Sequence, residues 1–232
     1  MGKIVFNVVL PTETKMFCGC PVPAVNEEGY YEAAGIACPV CRGEKGAYPI
    51  LNKKAVEKAV AAVLALNGKV TQYTLFDRVK GEEGVYNLIS QYSYPIGKEG
   101  RMDLAFADTE NESDETQGML HFDIPVMRLK ESEEEKGIPV LEIVSDTMEE
   151  EQNPYYIEGM EQILTALGME VWEIIESDEL IETMEKQKTI SFLPDPDLPP
   201  VIISQWWIDQ IAAEYPDLIH IEETVVEDED DF

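Results

Sequence analysis

Thr14–Cys20 reads TKMFCGC and Ala37–Arg42 reads ACPVCR, so Cys18 and Cys20 lie one residue apart and Cys38 and Cys41 two apart, with seventeen residues between the pairs. These are the 4 cysteines of the chain. A reducing compartment disfavours disulfides. Two close pairs on adjacent turns place four thiolates tetrahedrally around a soft divalent cation, for which zinc is the usual choice. Gly19, Pro39 and Gly43 supply the tight turns such knuckles need. A closed Cys₄ shell leaves no position for substrate, so the expected ion is structural and the expected knuckle spans residues 16–46. The alternative is four reduced thiols without a metal.

Working outward, Lys3–Leu10 is rich in Ile and Val and ends at Pro11, which reads as a strand. Asn52 is placed to cap a helix from Lys53 to Leu66, with Asn67-Gly68 as its stop. Val56, Val60, Val63 and Leu64 recur along it at helical spacing. Lys69–Phe76 alternates as one strand, Gly81–Gly84 reads as a turn, and Val85–Ile96 as extended segments. Residues 108–118, DTENESDETQG, read as an exposed loop. Met119–Leu129 and Ile138–Val144 read as strands flanking a charged turn at Glu131–Lys136. Asn153 and Pro154 suit the N-cap and first position of a helix to Leu167, closed by Gly168, before a strand at Val171–Ile175. PDPDLPP, Pro194–Pro200, is an extended connector. Ser204 then caps a short helix carrying Trp206 and Trp207. Adjacent tryptophans on a helix point about 100° apart, which puts at least one at a boundary or interface. Strands mixed with helices predict a single mixed α/β (α+β) domain over residues 1–221, and residues 222–232 are too acidic to pack and read as a disordered tail.

The 232 residues are 44% hydrophobic, enough to fill a core. No apolar run approaches the roughly 18 residues that span a bilayer. MGKIVFNVVLP lacks the small-residue cleavage site of a secretory signal, and the Ser/Thr of a myristoylation signal is missing. The expected location is cytoplasmic, without a membrane. The formal charge of −30 is unevenly distributed: residues 1–101 carry a net of +2 and residues 102–232 a net of −32, the latter holding only 5 of the 17 Lys and Arg. Nucleic-acid affinity rests on cations that neutralise phosphates, so direct tRNA binding is not expected of the second half, nor DNA binding of the chain. Two readings of the acidity stand. One is a solvated face or adaptation to a salty cytoplasm; the other is a surface for a basic protein partner or a mimic of nucleic acid.

Several stretches carry a resemblance. TKMFCGC, then ACPVCRGEKGAYPILNKKAVEKAV and ALN, FDR (Phe76–Arg78), ISQYSYPIG (Ile89–Gly97), GIPVLEIVSD (Gly137–Asp146) and LPDPDLPPVIIS (Leu193–Ser204) follow one another along the chain. In kind and order they resemble the B subunit of the aspartyl/glutamyl-tRNA amidotransferase. That resemblance implies a cradle-like domain with an inserted zinc knuckle. It also implies a kinase-like amide synthase that uses ATP and magnesium to phosphorylate the side-chain carboxylate of a mischarged aminoacyl-tRNA. Ammonia from an amidase-type partner subunit then displaces the phosphate.

The departures matter as much. Where the family carries Glu-Ile-His before the TK-x-FC motif, and uses those side chains toward the metal, this chain has Val5-Phe6-Asn7. The family's His-Leu-Glu-Glu-Asp-Ala-Gly-Lys appears as His121-Phe122-Asp123-Ile124-Pro125. A long section between the LEIVS and PDLPP motifs is mostly absent. The resemblance leaves Glu142, Asp123 and His121 as candidate catalytic groups, with Ser90, Gln91 and Tyr92 lining the nucleotide cleft. Each has a structural alternative: a carboxylate paired within the fold for Glu142, surface charge for Asp123, a satisfied histidine for His121, and scaffold for the other three. Cys18, Cys20, Cys38 and Cys41 are the expected metal ligands. Three functions follow: a zinc-stabilised protein-binding or scaffold derivative with an eroded ATP–magnesium site, an ATP-dependent amide-forming ligase acting on a carboxylate other than tRNA, and a subunit of a split tRNA amidotransferase.

Overall fold

In a computed structural model, residues 2–24, 38–42, 44–80, 86–107, 117–132, 137–176 and 192–219 are described. The expected turn at 81–84, most of the loop expected at 108–118, the middle of the knuckle and the acidic tail lie outside these residues. Strand β1 (Ile4–Val9) sends Ile4, Phe6 and Val8 to one face, where all three are fully buried, and Val5, Asn7 and Val9 to the other. It lies between β7 (Pro139–Val144) and β8 (Glu170–Glu176). Beyond β7 come β6 (Gln117–Glu131), β4 (Tyr86–Tyr94), β3 (Tyr73–Lys80) and the short β10 (Val201–Ile202). Three strands branch from this path: β5 (Gly97–Ala107) on β6, β2 (Lys69–Val70) on β5, and β9 (Phe192–Pro194) on β3. Every pairing among the described residues is antiparallel. The mixed α/β expectation therefore takes its α+β form.

The core fills the face of β1 that carries Phe6, together with Met127 and Leu129 of β6 and Leu141 and Ile143 of β7. Helix α1 (Lys53–Ala65) adds Ala55, Val56, Ala59, Val60 and Val63. Helix α2 (Asn153–Ala166) adds Tyr156, Met160 and Leu164. The Tyr156 ring stands edge-on to Phe6, with centroids 5.7 Å apart, and burial pushes its phenol upward and keeps it neutral. Helix α3 (Gln205–Ala213) starts at Ser204, whose hydroxyl accepts from the Trp207 N–H at 3.3 Å. Trp207 packs against the start of α1, its Nε1 donating to Glu57 and the Lys53 ammonium 5.5 Å from its ring centroid. Trp206, at 71% exposure, faces outward.

Asn52 caps α1 as expected and also does more. Its Oδ1 accepts from the Lys54 and Ala55 N–H groups, while its Nδ2 donates to the carbonyl and hydroxyl of Thr14 at 2.8 and 2.9 Å. One amide thereby joins the helix to the cysteine segment. Two boundaries differ from expectation. Lys69–Phe76 is two strands rather than one, because β2 pairs with β5 and β3 with β4, and the chain changes partner at Thr71-Gln72. Asn153 is the first residue of α2 and not its cap; Glu149 and Gln152 form a capping box that starts a 3-10 turn at Glu150–Gln152 and runs into the helix. At the end of α1 it is Asn67 that takes the left-handed conformation, with φ 52°. Gly68 is needed for space, since a Cβ there would stand 2.8 Å from Met127 Cε and 2.9 Å from the Val63 carbonyl.

Gly97 meets the same wall: a Cβ there would overlap Val63 Cγ2. Its backbone is not left-handed, so the cost of a side chain is steric alone. Gly97→Ala should destabilise the fold by about 1–3 kcal/mol through overpacking. In urea unfolding, the pair Gly97→Ala and Val63→Ala should lose less than the sum of its single changes.

Candidate functional site: a buried polar row and a cysteine cluster

The second face of the sheet carries a row of polar side chains across its middle. Arg128 pairs in register with Glu142, Glu142 with Asn7, and Asn7 with Glu173, so four strands contribute one residue each. Lys130 stands one step along β6 and is itself in register with Ser90 of β4, which pairs with Asp77 of β3. Side chains on one strand face are two residues apart, which places Arg128, Lys130, Glu142, Asn7, Ser90 and Asp77 on a common face. Glu142 lies at the centre and is 7% exposed. Its Oε1 accepts from Arg128 Nη1 at 2.8 Å and its Oε2 from Lys130 Nζ at 3.1 Å. Burial pushes the Glu142 carboxyl up, but the Lys130 and Arg128 cations outweigh it and hold it below the usual carboxylate range.

Around this ion pair several polar atoms lack partners. Asn7 Oδ1, Asp77 Oδ1, Ser90 Oγ, Gln91 Nε2 and Arg128 Nε are buried without a hydrogen bond. Asn7 turns its Nδ2 to Glu173 at 3.0 Å. Asp77, fully buried, accepts the Ser93 N–H on its other oxygen at 2.7 Å. Gln91 serves the sheet itself. Among the described residues strands β4 and β6 share one residue pair, and Gln91 Oε1 takes the Leu129 N–H at 3.1 Å. The Tyr92 ring lies 5.9 Å from the Arg128 guanidinium carbon.

The candidate catalytic groups do not converge. Asp123 sits on β6 five residues from Arg128, about 16 Å along the strand, exposed and in register with Arg101. His121 is farther still and belongs to a surface cluster. Its Nδ1 meets Asp103 Oδ1 at 2.6 Å and Arg101 Nη2 at 2.7 Å, and His121 and Arg101 together lower the Asp103 carboxyl. Ser90 and Tyr92 lie on the face of the Glu142 row, while Gln91 alternates to the other face and bonds the Leu129 N–H. Sequence reasoning passes over Arg128, Lys130 and Asp77. Arg128 and Lys130 carry a signal, because two of the 5 basic residues beyond position 101 alternate with Met127 and Leu129 in one strand.

The four cysteines come together at the other end of the Asn52 link. Their Sγ atoms all lie within 4.8 Å of one another, with Cys18 to Cys41 at 3.3 Å and Cys38 to Cys41 at 3.8 Å. Thiolates on one tetrahedral zinc stand about 3.8 Å apart, so this cluster fits a metal ion. The Cys41 backbone amide pulls Cys38 down to about 6, while burial pushes Cys18 up to about 12. The segment is anchored on both sides: the Met16 N–H donates to the Gly137 carbonyl at 2.8 Å, and Phe17 meets Phe76 edge-on at 5.5 Å.

The sequence motifs that build the row and the cluster are those of a domain of the amidotransferase B-subunit type. Residues 6–177 match the GatB/GatE catalytic domain family, and the chain belongs to that family. Among curated relatives, the B subunit of the aspartyl/glutamyl-tRNA(Asn/Gln) amidotransferase of Agathobacter rectalis is 26% identical over 295 residues, covering 91% of this chain and 60% of the relative. The protein of the same description from Brevibacillus brevis is 32% identical over 170 residues, covering 67% of this chain and 34% of the relative. That from Nocardia farcinica is 39% identical over 105 residues, covering 44% and 20%. The chain thus spans about 60% of the length of the first of these relatives. The 295 aligned positions exceed the 232 residues of the chain, so that relative carries sequence with no counterpart here. No helix among the described residues is long and apolar enough to cross a membrane.

Glu142→Gln removes the charge that neutralises Arg128 and Lys130 and should cost roughly 3–5 kcal/mol at neutral pH. Because the folded carboxyl lies below its unfolded value of about 4.3, its contribution is complete above that value and is lost as pH falls through the folded pKa. The urea midpoint of the wild type should therefore drop on acidification, and the Glu142→Gln profile should be flatter over that range.

Proposed function

We propose that this chain is a divergent B-subunit-like protein in which a zinc-stabilised, cradle-like scaffold serves a protein partner and the ATP–magnesium site is eroded. The observation that carries this reading is the scatter of Glu142, Asp123 and His121 over one sheet, with Glu142 already paired to two cations. Magnesium takes near-octahedral oxygen coordination, usually one or two carboxylates with water and substrate phosphate. Val5 offers no oxygen, and Asp123 is too far from Glu142 to share an ion. The residues present do not fit a magnesium ion beside a triphosphate. Zinc is the metal proposed for the cysteines, with the knuckle at 16–46 inside one domain of residues 1–221 and an acidic tail at 222–232. The partner is a basic protein or an amidase-type subunit, which a surface with a formal charge of −30 would attract. Repulsion of phosphate by that same charge argues against direct tRNA contact.

A second reading has its own support. Membership of the family, the unpartnered Asn7 Oδ1 beside Glu142 and the unpartnered Ser90 Oγ on the same face favour an ATP-dependent amide-forming ligase acting on a carboxylate other than tRNA. Coupled detection of ADP separates the two. With millimolar ATP and magnesium, the scaffold reading expects neither a melting shift nor ADP, whereas ADP released only when an acceptor acid is present overturns it. For the metal, elemental analysis should find about one zinc per chain, and chelation should loosen the segment that Met16 and Phe17 hold against the core. Cys38→Ser should lose both the zinc and the response to chelator.

A further inference from the structure

We infer that Arg128 and Lys130 are a built-in counter-charge that stands in for a divalent cation on Glu142 and closes the row to metal. The inference rests on the reading that the ATP–magnesium site is eroded, and it names the side chains responsible. Each carboxylate oxygen of Glu142 has its own cationic donor, at 2.8 and 3.1 Å, so a metal would have to displace an ammonium and a guanidinium to reach either one. Two fixed positive charges beside the carboxylate also repel an incoming dication.

Beside Glu142 one further oxygen is left without a partner. Asn7 lies between Glu142 and Glu173 in the cross-strand register, and neighbouring strands stand about 4.8 Å apart. Its Oδ1 is buried with no hydrogen-bond partner. Ser90, 2% exposed and in register with Lys130, keeps an unpartnered Oγ on the same face. On this face the Glu142 carboxylate and the Asn7 amide oxygen are cross-strand neighbours, Ser90 and Glu173 each lie two strands from Glu142, and the two basic side chains of β6 supply the charge that an ion would bring. Opening the row requires removal of those two side chains and no change of fold.

The test is manganese binding, read from the free-ion EPR signal, on zinc-replete protein. The acidic surface will bind some manganese weakly, so the quantity read is the uptake that disappears when Glu142→Gln is made in the same background. The wild type should show no Glu142-dependent uptake up to millimolar manganese. Arg128→Gln with Lys130→Met should create it, with affinity at least tenfold above the wild type. If the double variant does not fold, Lys130→Met alone, which keeps the Arg128 contact, should show the same gain to a smaller extent. Glu142-dependent manganese on the wild type, or a folded variant with no gain, overturns the inference. Either result leaves the scaffold reading to the ADP measurement, and ADP formation by a wild type that takes up no manganese at Glu142 would overturn that reading while leaving this inference standing.

Discussion

A carboxylate that has lost most of its water must be neutralised at close range, and Glu142 places that requirement at the middle of the sheet. Removing an ion from water costs several kcal/mol, which only well-placed opposite charge can offset. Here β6 meets it from the same face, with Arg128 on one oxygen and Lys130 on the other. The choice has consequences on both sides of the strand. Met127 and Leu129, which alternate with the two cations, enter the hydrophobic core, so the register that delivers the charges also fills the core. A slip of one residue would put cations inside and leave Glu142 alone.

That register is supported from β4 by an unusual device. Among the described residues the two strands share Ser90 and Lys130 as a pair, and the Gln91 side chain supplies a hydrogen bond to the Leu129 N–H. The motif that contains Ser90, Gln91 and Tyr92 is thus bound to the position of Lys130 and Arg128. Its presence has a structural reason, independent of nucleotide.

The cysteine cluster is joined to the same body and does not hang from it. Asn52 caps α1 with one end of its amide and ties Thr14 with the other, while Met16 and Phe17 are buried on the core side of the knuckle. Order at the four thiols and order at the helix start therefore depend on each other. The family's local pattern, TK-x-FC followed later by a helix after Asn, has a physical basis in that shared joint.

Much of the local structure was legible because it depends on neighbours in sequence. Cysteine spacing announced the cluster, Asn52 and Ser204 announced helix starts, Gly168 with its φ of 67° announced a helix end, and short apolar stretches announced β1, β6 and β7. The motifs likewise pointed to the family before any fold was known. What the chain alone could not determine was which side chains meet. Asp123 and Glu142 read as partners because their motifs belong to one family site, yet Asp123 lies far along β6 from Arg128, the residue that faces Glu142. Arg128 and Lys130 drew no attention in the sequence, yet they hold the buried carboxylate. Propensity and spacing act over a few residues, whereas the neutralisation of Glu142 is settled by strand register between β6 and β7, and register is a property of the folded sheet.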